Sequence, residues 1–143
     1  MIVLDTTVLV YAKGADHPLR DPCCELLRAI ERGATVATTT AEAIQEFAHV
    51  RSRRRGRHDA ADLARAYVDV LAPLLVIEED HLRQGLDLFE RHSELGSFDA
   101  VLAATAMAAG AEALVSADQA FSAIEGLRHV DPGQPEIESL LGG

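Results

Sequence analysis

The feature that most constrains this chain is an alternation of short apolar runs with longer stretches of helical period. Runs rich in Val, Ile and Leu fall at 2–5 (IVLD), 35–39 (TVATT), 74–78 (LLVIE), 113–117 (ALVSA) and, more weakly, 128–130 (RHV). Each is too short to be a helix of its own, and the segments between them repeat their apolar residues at helical spacing. That order predicts βαβ units: an α/β fold whose central, mostly parallel sheet of four to five strands is flanked by helices on both sides. With 143 residues the chain makes one domain, residues 1–143, and needs neither metal nor disulfide to bury a core.

The helical segments carry their own punctuation. DPCCELLRAIER offers Asp21 as a cap, Pro22 at the first helical position and Gly33 as a stop. AEAIQEFAHVRSRR and AADLARAYVDVLA read as two helices separated by a flexible GRHD, DHLRQGLDLFERH supplies another before Gly96, and AVLAATAMAA ends at Gly110. At the mouth of this last helix, Ser97 or Asp99 is placed to cap it. The tail from DPGQP onward reads as irregular, and no repeat or linker interrupts the chain.

Composition removes several classes of function. Cys23 and Cys24 are neighbours, about 3.8 Å apart at Cα and too close for an ordinary disulfide, so they read as reduced thiols. The six histidines form no HExxH spacing and the cysteines no CxxC, which argues against zinc. No P-loop, dinucleotide fingerprint or nucleophile elbow occurs. MIVLD lacks the basic start of a secretory leader and no later run would span a membrane, so the expected location is the cytoplasm. The net charge of −10 opposes bulk attraction to nucleic acid, yet it conceals one basic cluster, RSRRRGRH at 51–58.

The acids carry the chemistry. Asp5 closes the first strand, Asp118 follows the strand ALVS, Asp99 begins a helix leading toward that strand, and Glu46 lies near the apolar face of its helix. The carboxyl edge of an open α/β sheet is where ligands bind. Taken singly, each acid is adequately explained as a cap, a turn or a helix-edge residue. If they converge, repulsion follows: two carboxylates about 4 Å apart repel by roughly 4 kcal/mol at an effective dielectric of about 20. Such a cluster must take up protons or bind cations, and an oxygen-only set favours Mg²⁺ or Mn²⁺.

Four segments, IVLDTTVLVYA, TTTAEAIQEF, SFDAVLAATA and LVSADQAF, resemble in order and spacing the PIN-domain nucleases, and most closely the VapC type, the toxins of bacterial toxin–antitoxin pairs. The resemblance implies a PIN-like fold and an acidic metal site of Asp5, Glu46, Asp99 and Asp118, with Thr7 and Ser116 as supporting hydroxyls. Glu46 is preferred to Glu42 because it precedes Phe47, and Thr40 introduces its helix. The implied reaction is Mg²⁺-dependent hydrolysis of RNA phosphodiesters, with Asp5 and Asp99 as first ligands and Asp118 and Glu46 serving a second ion or its waters.

Arg51, Arg53, Arg54, Arg55 and Arg57 are candidates to grip RNA phosphates, against the alternative of a solvated helix end. The resemblance further implies a cognate VapB-like antitoxin and a homodimer, with a heterotetramer or larger assembly when the antitoxin is bound. Leu26, Leu27, Ile44 and Phe47 are candidate contacts that would otherwise join the core. The alternatives are a PIN-fold housekeeping nuclease without an antitoxin, a metal-free binding fold, and a haloacid-dehalogenase-like phosphatase. The last lacks its second aspartate, because Thr7 stands in its place, and Lys13 lies too early to clamp phosphate.

Overall fold

In a computed structural model describing residues 1–142, four strands form one parallel sheet: β1 (Ile2–Leu4), β2 (Ala37–Thr38), β3 (Ala113–Val115) and β4 (His129–Val130), in the order β2-β1-β3-β4. Ile2, Val3 and Leu4 pair with Ala113, Leu114 and Val115, while Ile2 and Val3 pair with Ala37 and Thr38. Both central strands are buried along their whole length, as uninterrupted apolar runs require. Alternation then sorts their side chains. Ile2, Leu4, Ala113 and Val115 join one core, Val3 and Leu114 the other.

Among the described residues, six α-helices cover the two faces. On the first lie α1 (Thr6–Ala12), α2 (Arg20–Glu31), α3 (Ala41–Arg55) and α4 (Arg57–Leu71), whose Leu9, Leu26, Phe47 and Leu71 fill the first core. On the second lie α5 (Glu79–Arg91) and α6 (Ser97–Ala108), with Leu88, Leu102 and a series of buried alanines. The predicted three-layer α/β architecture is the one observed. No helix among the described residues is long and apolar enough to cross a membrane.

Several local expectations are corrected. LLVIE contributes one parallel bridge, Leu75 to Thr40, because β2 turns into α3 at Ala41 and offers no further strand edge. α2 starts at Arg20 with Leu19 in the capping position, so Asp21 sits inside the first turn and does not cap. GRHD is no flexible link: Gly56, at φ +86°, is the whole connection, and α4 begins at Arg57. The tail forms a 3₁₀ helix, Pro135–Leu140, which buries Ile137 and Leu140. As expected, α6 closes ahead of Gly110, which takes the left-handed backbone at φ +71°.

Candidate active site

The strand order reverses between β1 and β3, so the crevice beyond their carboxyl ends is where the topology opens a site. Asp5 continues the β1 ladder with its N–H donating to Val115 O at 2.9 Å, and it occupies the capping position of α1. Its side chain makes no cap. Instead its Oδ2 accepts from Ser116 Oγ at 2.7 Å and from Thr7 Oγ1 at 2.9 Å. Each hydroxyl spends its single proton there, and each accepts a backbone N–H in return: Thr7 from Ala117 at 3.1 Å, Ser116 from Asp118 at 3.0 Å. Asp5 is buried and held from both strand ends, with Oδ1 outside this network.

The other acids arrive from three elements. Asp118 follows β3, and its Oδ1 caps a 3₁₀ helix, Gln119–Ala123, by accepting from Ala120 N at 2.9 Å. Glu46 projects from α3, where its Oε2 accepts from Thr6 Oγ1 at 3.2 Å. Asp99 is the third residue of α6. Gly96 takes the capping position, and neither Ser97 nor Asp99 caps the helix, so the Asp99 carboxylate is not spent on backbone. Asp5, Glu46, Asp99 and Asp118 together line one crevice of about 320 Å³. Glu42, one turn earlier on α3, lines only the neighbouring groove.

Convergence has an electrostatic consequence. Asp99 is pushed up to about 7, first by burial and then by the negative charges of Asp5, Asp118 and Glu46. Among the described residues, no three His, Cys, Asp or Glu side chains converge closely enough to hold an ion unaided. The donor set is nevertheless all oxygen and short of positive charge, which suits a hard divalent cation reached partly through water. The thiols stand apart from it: Cys23 is buried and pushed up to about 12, mainly by burial, while Cys24 donates to Ala12 O, and both are free.

Residues 2–127 match the model of the PIN domain. The chain belongs to the PIN-domain family. Within that family it is 55% identical over 146 residues to Ribonuclease VapC7 of Mycobacterium tuberculosis, covering 99% of each chain. Ribonuclease VapC23 of the same species is 35% identical over 99 residues, 69% of this chain and 78% of that one. The fold matches the crystal structure of M. tuberculosis VapC20, described as a sarcin–ricin loop cleaving toxin, with a TM-score of 0.74 at 20% identity over 91% of this chain and 98% of that one. It also matches VapBC2 of Rickettsia felis bound to a promoter DNA fragment, with a TM-score of 0.70 at 17% identity over 92% of this chain and 98% of that one. Membership of the VapC-type PIN domains overturns the phosphatase alternative.

In this PIN domain the arginines divide. Arg51 pairs with Asp59 at 2.5 Å and donates to Lys13 O at 2.7 Å, tying α3 to α4 and to the end of α1, so it is not available to grip RNA as expected. Arg53, Arg54, Arg55 and Arg57 remain exposed. Leu26, Leu27, Ile44 and Phe47 are all buried in the first core, which removes them as partner contacts. An exposed apolar patch lies instead on α5 and α6, where Leu82, Leu86 and Phe98 line a groove of about 350 Å³ that shares Asp5, Glu46 and Asp99 with the crevice. Sequence reasoning missed Thr6, which donates toward Ala43 O and Glu46. Its one signal was the Thr6–Thr7 doublet, whose side chains leave the helix about 100° apart and so reach different elements.

Proposed function

We propose that this PIN domain hydrolyses phosphodiester bonds in RNA with the aid of Mg²⁺ or Mn²⁺, as the toxin of a pair silenced by a cognate antitoxin. The observation that carries the proposal is one crevice at the reversal point of the sheet lined by four carboxylates, where burial first and then the charges of the other three push Asp99 to about 7. A divalent ion bound there supplies a lowered pKa for the attacking water and positive charge beside the reacting phosphate. Asp5 offers Oδ1 to it while Thr7 and Ser116 hold Oδ2, which fixes the carboxylate plane. Asp99 would be the second direct ligand, its carboxyl proton passing to water when a cation takes its place. Asp118 and Glu46 orient waters or a further ion, and Thr6 holds Glu46 toward the crevice.

The antitoxin reading rests on the groove that α3 lines on one side and α5 and α6 on the other. An apolar segment seated against Leu82, Leu86 and Phe98 would place a basic side chain within reach of the carboxylates, because groove and crevice share three of them. One pair of measurements tests the whole reading. Asp99→Asn, with its circular dichroism unchanged, is expected to lower RNA cleavage more than about 100-fold, as excess EDTA does to the wild type, and to relieve the growth arrest caused by expressing the wild type alone. Full activity of the variant, or of the wild type in EDTA, would sink the proposal.

A further inference from the structure

The carboxylate crevice is open at its edges. It shares Asp118 with a cleft of about 550 Å³ between the α5–α6 turn and the 3₁₀ helix Gln119–Ala123, where Arg91 and His92 stand. It also shares Val10 and Val50 with a small recess lined by Arg54. Arg91 and Arg54 are both exposed, and among the described residues neither is engaged in an ion pair. In a chain of net charge −10, an unpaired cation thus stands beside the crevice on each of two sides. The cleft holds one acid besides Asp118, namely Glu94. Along the crevice wall, Tyr11 stacks on the exposed His17, with ring centroids 4.6 Å apart and planes 29° from parallel.

We propose that a single strand of RNA crosses the carboxylate centre from the Arg91–His92 cleft to the Arg54 recess, with its flanking phosphates held by the two arginines and one base stacked on Tyr11. This rests on the ribonuclease reading and deepens it. Four acids repel phosphate, so the grip on the backbone must come from cations beyond them on both sides. Guanidinium groups suit phosphate oxygens, and an aromatic ledge recognises a base only when its face is unpaired and unstacked.

The test follows the fluorescence anisotropy of a short, labelled, single-stranded RNA of mixed sequence over a range of salt, on protein carrying Asp99→Asn so that the strand survives. Arg91→Ala and Arg54→Ala are each expected to weaken binding about five-fold and to reduce the salt slope by about 0.7, the loss of one phosphate contact on a single strand. Tyr11→Ala is expected to weaken binding about ten-fold with the slope unchanged, and Tyr11→Phe to restore it. Should Tyr11→Ala fail to fold, photo-crosslinking of 4-thiouridine-containing RNA to Tyr11 in the otherwise unchanged protein supplies the same answer. If wild type cuts RNA while the arginine variants keep the parent's salt slope and no crosslink reaches Tyr11, the track is wrong and the ribonuclease reading stands. If wild type neither binds nor cuts RNA, both are overturned.

Discussion

Asp99 bears the electrostatic cost of the site, and that cost is readable as pH dependence. Its carboxyl moves from an ordinary 3.8 to about 7 in the folded chain, through burial and the charges of Asp5, Asp118 and Glu46. Between those values the native state keeps a proton that the unfolded state releases, so raising the pH from about 4 to about 7 removes stability, and above that the slope vanishes. Urea unfolding of the metal-free protein at several pH values is expected to show this decline in the wild type and a flatter profile in Asp99→Asn. Parallel profiles would show that Asp99 ionises normally. Saturating Mg²⁺ is expected to flatten the wild-type curve too, because a cation replaces the proton.

At the scale of elements, α6 positions Asp99 only because its neighbour lets it come close. The helix buries Ala100, Ala103, Ala104 and Ala106, and α5 meets it through Gly85. A Cβ built on Gly85 would lie 2.6 Å from Val101 Cα, a backbone atom that no rotamer change can move aside. Gly85→Ala is therefore expected to separate the two helices, destabilise the fold by about 1–3 kcal/mol and displace Asp99 with its helix. Thermal melts would record the first effect. RNA cleavage assayed well below the melting temperature would record the second, and unchanged values of both would mean that the helices adjust without strain. Arg51 plays the opposite part on the other face, where its contacts with Asp59 and Lys13 O hold α3 against α4 across the single-residue break at Gly56.

Over the whole molecule, a net charge of −10 with four carboxylates lining one crevice is expected to make stability respond to divalent cations. Mg²⁺ at about 100 times its Kd adds roughly 2.7 kcal/mol if it binds only the folded state. For a chain of this size that is a rise of several degrees in Tm. Asp5→Asn is expected to abolish the rise by removing a ligand from the centre. A wild-type Tm indifferent to Mg²⁺ and Mn²⁺ would take the ion out of the mechanism.

What the sequence determined by itself was whatever depends on period and on chain position. Ile2–Leu4 and Ala113–Val115 are apolar without a break because both of their faces are covered, and this same continuity announced a parallel sheet. Asp5 and Asp118 were legible because position relative to a strand end places a residue at the sheet's edge whatever surrounds it. Contacts between distant segments were not legible. Helical period marks Ile44 and Phe47 as one face, but it does not say whether core or partner covers that face, and the first core does. LLVIE has the composition of a strand yet pairs at one residue, because a strand exists only where another edge is free to bond with it. Arg51 reads like its neighbours in the basic run. It differs because α4 folds back to present Asp59, an encounter that only the tertiary structure creates.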